Sequence, residues 1–264
     1  MSLTVNTNVE AMNAQRNLSN TEGSLSMSMQ RLSSGLRINT AADDVAGYAI
    51  SQKLQGQING LNQAQLNTQD AVSLSQTAQG SLNEVEQMLQ RVRELAVQYK
   101  NGTNSESSKE AIVSEASQLT SEIERVGETT QFNGINLLKE ENTISFQVGA
   151  NDGEVISVNT ISLGESVGAI SLGEEEAIST IDSAIDKVSA AAGSFGAIQN
   201  RLQYTQSNLA VYSQNLSAAQ SSIVDVDMAA EMTNFTKEQV LMQAGTAVLS
   251  QANQLPQAVL KLLQ

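Results

Sequence analysis

The residues nearest to acid–base or cation-binding chemistry are two adjacent carboxylate pairs, Asp43–Asp44 and Glu140–Glu141. Such pairs need a partner that shuttles protons or completes a coordination shell. The chain has no His and no Cys, and its glycines lack the spacing of a phosphate-cradling loop. Both pairs therefore read as helix capping and solvation. Arg91, Arg93 and Glu94 form a third charged group, beside an apolar helical seam, and read first as its solvated flank. No catalytic residue, metal site or cofactor is expected.

The elements around these residues are mostly helical. Residues 1–33 place Val5, Val9, Met12, Leu18, Leu25, Met29 and Leu32 along one stripe, which predicts an amphipathic helix. Gly35 and the polar run to Gly47 break it, with Asp43 or Asp44 positioned to cap the next helix. From Ile50 to Tyr99, apolar or small residues follow at alternating spacings of four and three, a heptad seam that is cleanly apolar only from Ala78 onward. Gly102 is expected to close that helix as its left-handed C′ residue. Ser105 to Ser108 are expected to cap a shorter helix carrying Ile112, Leu119, Ile123 and Val126.

Between about 130 and 163 the period falls to two. Ile144, Phe146 and Val148 alternate with polar residues, Asn151-Asp152-Gly153 signals a turn, and Val155, Ile156 and Val158 follow. One β-hairpin is expected. The helical period returns from about Glu174, with a break near Asp225 and Asp227. The last segment is apolar around most of its circumference and needs burial. The fold class is mainly α: an antiparallel long-helix coiled-coil bundle with a small β-hairpin region. Its domains are discontinuous, residues 1–42 with 224–264, and residues 43–223.

Charge follows the same division. The net charge is −14, which disfavours nucleic acid and anionic membrane as partners. Residues 1–42 carry +1 and residues 224–264 carry −2, so the acidity lies in the middle and the ends are nearly neutral. Aromatics make up 3% of the chain, too few for a thick globular core. Neutral, apolar ends that one chain cannot cover imply self-association. The opening Met1-Ser-Leu-Thr-Val-Asn-Thr-Asn-Val lacks the basic region and apolar run of a secretory signal, and no stretch approaches the roughly 20 apolar residues of a membrane span.

A series of segments, in order, resembles bacterial flagellin. Leu32-Ser-Ser-Gly-Leu-Arg-Ile-Asn-Thr-Ala-Ala-Asp-Asp-Val-Ala-Gly47 is similar to the flagellin spoke. Gln90-Arg-Val-Arg-Glu-Leu-Ala-Val-Gln98 is similar to its long helix. Thr130-Gln-Phe-Asn-Gly-Ile-Asn-Leu-Leu138 and Phe146-Gln-Val-Gly-Ala-Asn151 are similar to its β region. Asp225-Val-Asp-Met-Ala-Ala-Glu-Met232, the run Gln243 to Leu260 and the final Leu262-Leu263-Gln264 are similar to its C-terminal helix. Only about Ser162 to Gly173 stands where many flagellins carry a variable insert, so the resemblance implies a minimal form without outer domains.

The resemblance implies a structural subunit that self-assembles into the flagellar filament for swimming. The alternatives are a hook–filament junction protein of the same family and a non-polymerising coiled-coil protein. It implies an extracellular filament reached by the flagellar type III route without a cleaved signal peptide. The partners would be the chain itself as a helical homopolymer, an export chaperone, and cap and junction proteins. Toll-like receptor 5 and a cytosolic flagellin sensor would be further partners. It assigns Gln90, Arg91, Leu95 and Glu115 to a receptor-recognition and inter-subunit patch. Gly35, Arg37, Asp43 and Asp44 belong to the spoke. Val5, Val9, Met12, Leu249, Leu255, Leu260, Leu262 and Leu263 belong to a polymerisation core.

Overall fold

The structure is a computed structural model that describes residues 7–167 and 170–262; for 165–166 and 255–262 only the backbone is described. Val5 and Leu263, and the side chains of Leu255, Leu260 and Leu262, thus lie outside the described residues. The elements run α1 (Val9–Ser34), α2 (Val45–Tyr99), α3 (Glu106–Thr129), β1 (Gln131–Phe132), β2 (Ile135–Asn136), β3 (Thr143–Gln147), β4 (Val155–Asn159), α4 (Leu163–Val167), α5 (Ala177–Val224) and α6 (Met228–Leu262). The chain divides into two compact units, residues 57–215 and residues 1–56 with 216–264.

In the 57–215 unit, α2 and α5 run antiparallel. Asn62 lies opposite Ser213 and Arg93 opposite Asp182, so one register holds along the pair. Leu82, Val85 and Leu89 of α2 meet Val188 and Phe195 of α5, with Ile123 of α3 and Leu137, Leu138 and Val158 of the β region closing the core. All are buried. Polar seam positions are tolerated because their hydroxyls bond locally. Thr68 and Ser75, fully buried, donate to the carbonyls of Ala64 and Ala71 one turn back. At the head of the seam the buried residue is Ser51, while Ile50 is exposed. A straight helix drifts about 20° per heptad, so a strict 3.5-residue reading loses the face over seven repeats.

The β region holds two hairpins, not one. β3 and β4 pair antiparallel with Phe146 opposite Ile156, turning at Gly153 with φ 84°. β1 and β2 pair through Asn133-Gly134, both left-handed, with φ 49° and 81°. Asn-Gly suits such a two-residue hairpin turn; that was the unused signal. Gly102 is a second correction. It is not left-handed; α2 ends instead through bonds from the Lys100 and Asn101 amides to the carbonyls of Ala96 and Gln98. Ser105 caps α3 as expected, its Oγ accepting from the Ser108 amide. α5 begins at Ala177, three residues after Glu174, because residues 172–176 form turns.

In the other unit α1 and α6 pack antiparallel. Ser28 faces Glu231, Leu18 packs on Gly245 and Asn8 reaches Ala252. Asn8 also caps α1, accepting from the Ala11 amide.

Candidate functional site

Three places carry the residues singled out in the sequence. The first is the joint where both chain segments leave their helices. α1 stops at Gly35, whose φ of 74° lets its amide close back on the Arg31 carbonyl. α5 stops at Val224, and Asp227 caps α6 by accepting from the Ala229 and Ala230 amides. The two breaks bond to each other. The Arg37 amide donates to the Val224 carbonyl at 2.6 Å and the Val226 amide to the Gly35 carbonyl at 3.0 Å. The Arg37 guanidinium adds a bond to the Ile223 carbonyl.

The two adjacent aspartates, Asp43 and Asp44, have separate tasks. Asp44 Oδ1 accepts from the Gly47 amide at 2.9 Å and caps α2. A Cβ on Gly47 would lie 2.5 Å from Asp44 Oδ2 and 2.6 Å from Ile38 Cδ1, so any larger residue must displace the ends of these side chains. Asp43 Oδ2 gathers the Asn39 and Thr40 amides and the Thr40 hydroxyl. The bonds from Thr40 and then Asn39 hold its carboxyl below the usual carboxylate range.

The second place is the terminal helix pair. Its seam is thin: Leu18 and Ser28 are the buried residues of α1, and Glu231 and Ala252 are buried on α6. Large apolar side chains point outward instead. Val9, Met12, Met27 and Met29 of α1 and Met228, Met232, Val240, Leu241 and Val248 of α6 are exposed. Leu249 is half-buried and lines a groove of about 610 Å³ with Met12, Gln15 and Asn253.

The third place is the charged flank of α2. Arg91 donates to Glu115 Oε1 through Nε and Nη2, at 3.1 and 2.9 Å, and to Glu94 Oε2 at 3.0 Å. Gln90, Arg91 and Glu115 are exposed side by side. The Glu115 bond, then the Glu94 bond, raises the guanidinium pKa. Leu95 is not on this surface. It is 1% exposed, packed with Val92, Ile112, Ala116 and Ile181 beneath the charges. Neighbouring Arg93 pairs with Asp182 at 2.5 Å and holds that carboxyl low; the sequence did not pair these residues.

Long helices in constant register, two helix breaks bonded to each other, and a thin end pair with outward apolar residues describe a helical protein whose terminal pair leaves apolar surface uncovered. Its relatives specify which. The "bacterial flagellin N-terminal helical region" matches residues 5–143 and the "bacterial flagellin C-terminal helical region" matches 178–263. The chain is 48% identical to a flagellin of Halalkalibacterium halodurans and 42% identical to a flagellin of Bacillus subtilis, in each case over 98% of this chain and 99% of the relative. It is 43% identical to a flagellar filament 33 kDa core protein of Treponema phagedenis, with the same coverage. The crystal structure of Bacillus cereus flagellin superposes with a TM-score of 0.51 at 30% identity, over 59% of this chain and 94% of that one. The chain belongs to the bacterial flagellin family. It is a structural subunit of the flagellar filament and not an enzyme. No described helix is long and apolar enough to cross a membrane.

Proposed function

We propose that the terminal segments, residues 1–42 and 224–264, form the inner layer of the filament and order there between copies, while 43–223 form the outer layer. The observation that carries this is the outward apolar side chains of α1 and α6 on a pair with so thin a seam. Burying one such side chain contributes about 1.5–3 kcal/mol, and fixing a residue's backbone costs roughly 1–2 kcal/mol. A pair that buries few residues does not recover that cost alone; contact with further copies does. Val5, Leu255, Leu260, Leu262 and Leu263 extend the apolar content of the same two segments. Limited proteolysis of the monomer is expected to leave a fragment near residues 45–225 that no longer polymerises. A trimmed fragment that still forms normal filaments refutes the layer assignment.

The same reading brings the export partners. A chaperone that holds the apolar C-terminal segment, unfolded passage through the flagellar type III route, and assembly against cap and junction proteins suit a chain whose ends order last. With few residues between β4 and α5, the filament is expected to be thin and smooth. The cytosolic sensor would read the terminal leucines before export.

The exposed Gln90, Arg91 and Glu115 group supports recognition of the monomer by Toll-like receptor 5, on a face that packs between copies in the filament. An arginine at the centre of such a patch is a typical hot spot. Arg91→Ala is expected to lower receptor signalling by roughly thirtyfold in affinity and to reduce motility, whereas Glu128→Ala does neither. A reporter assay on purified monomer tests it, and undiminished signalling by Arg91→Ala ends the assignment.

A further inference from the structure

Among the described residues one ionisable side chain is buried, and it lies in the thinnest helix pair. Glu231 of α6 is 7% exposed; the other buried polar residues are serines and threonines. Its Oε1 accepts a hydrogen bond from Ser28 Oγ at 2.5 Å, and its Oε2 lies 3.9 Å from Arg31 Nη1. Ser28 is itself 6% exposed. A carboxylate in such a place is costly unless its partners are present, and removing them strands the charge.

The side chains around it discriminate poorly between alignments. The half-buried and buried positions of α1 repeat as Ala11, Leu18, Leu25 and Leu32 on one row and Ala14, Thr21 and Ser28 on the other, with Ser24 and Arg31 half-buried beside them. Those of α6 repeat as Phe235, Met242 and Leu249 on one row and Glu231, Glu238, Gly245 and Ala252 on the other. Leucine, methionine and phenylalanine pack against one another after a one-turn slide nearly as well as before it. Glu231 does not. A slide of one turn, about 5.4 Å, carries its carboxylate from Ser28 toward Ser24 and Leu25 in one direction, away from Arg31, and toward Arg31 and Leu32 in the other, away from the Ser28 hydroxyl. Neither place supplies a buried hydroxyl and a guanidinium together, as Ser28 and Arg31 do.

We infer that Glu231, held by Ser28 and Arg31, is the positioning residue that fixes the register of α1 against α6 in the assembled subunit. This rests on the reading that the two helices pair within the filament. A single buried polar group is the best-attested device for fixing the alignment of helices that apolar contacts leave degenerate. The rival is the backbone bonding at Leu36 and Asp225, which would set the register by itself.

The chain has no cysteine, so two introduced ones can be spin-labelled cleanly. Asn13→Cys on α1 and Met232→Cys on α6, both at exposed positions, report the slide along the pair. Full-length labelled chain is diluted into unlabelled chain and polymerised, so that distances arise within single subunits and a defective variant is carried by its neighbours. With Glu231 intact, one narrow distance is expected. Glu231→Leu is expected to give a second population displaced by about 5 Å, while Glu231→Gln, which still accepts from Ser28, keeps a single distance. A single unshifted distance in Glu231→Leu overturns the inference and assigns the register to the joint. A Glu231→Leu chain that fails to enter filaments which accept Glu231→Gln also overturns it, because the residue is then needed for pairing itself. A broad distribution with Glu231 intact refutes the helix pairing in the filament instead.

Discussion

The two units bury their side chains differently. In the 57–215 unit, Leu82, Val85, Leu89 and Phe195 are essentially inaccessible in a cluster to which the helices and both hairpins contribute, and Leu202 is inaccessible in a second cluster. In the terminal unit, α1 buries Leu18 and Ser28 and turns four large apolar residues outward. The first is complete within one chain, whereas the second has the surface of a part. Under the layer assignment proposed above, the central core supplies folding and the ends supply assembly.

The sharpest break in that contrast comes from emptying the core. Phe195→Ala is expected to remove about 3–5 kcal/mol from the stability of the central unit, lowering the thermal midpoint of the monomer by circular dichroism. Leu95→Ala belongs with it, at about 2–5 kcal/mol. It loosens the packing around Ile112 and Ile181, so a signalling loss in that variant reports the fold rather than the patch. Val248→Asp is expected to do the reverse. It leaves the monomer's melting curve unchanged but abolishes polymerisation, because an unpaired charge in a subunit contact costs several kcal/mol. Sedimentation after ammonium sulfate addition reads it, and normal filaments would mean that this side of α6 stays wet.

Gly47→Ala tests the joint and should cost about 1–3 kcal/mol, seen as faster amide exchange over residues 39–48. Smallest is the effect of acid. Asp43 and Asp182 both have carboxyl pKa values lowered in the folded chain, the first by the Thr40 and Asn39 amides and the second by Arg93. Their folded forms hold fewer protons than the unfolded ones. The stabilisation is therefore complete well above the ordinary value of 3.8 and is lost as pH falls below it, through the lowered values. Arg93→Ala should remove the Asp182 part. Melting of the two proteins should differ slightly at pH 6 and converge in strong acid.

The helices were legible because a 3.6-residue period sustained over many turns leaves little room for another reading. Caps at Ser105 and Asp44 followed from short polar side chains beside apolar runs. The second hairpin escaped because β1 and β2 are two residues each, too short for alternation to show; only the Asn-Gly turn marked it. Leu95 stands in the patch by the flagellin resemblance alone, and the sequence of one helix does not say what covers it. α3 covers it, through Ile112 and Ala116. For the same reason the Arg93–Asp182 pair and the buried Glu231 were invisible: each depends on a partner far away in the chain.

The bonding at the joint has a mechanical side. Two amide-to-carbonyl bonds run between segments of opposite direction, Arg37 to Val224 and Val226 to Gly35, and the Arg37 guanidinium grips the Ile223 carbonyl beside them. In an antiparallel pair such bonds lie across the strands. Such bonds hold the two segments side by side through the backbone itself. In a rotating propeller, the place where both strands of the subunit are least helical is thereby clamped by backbone groups, which substitution of most neighbouring side chains leaves in place.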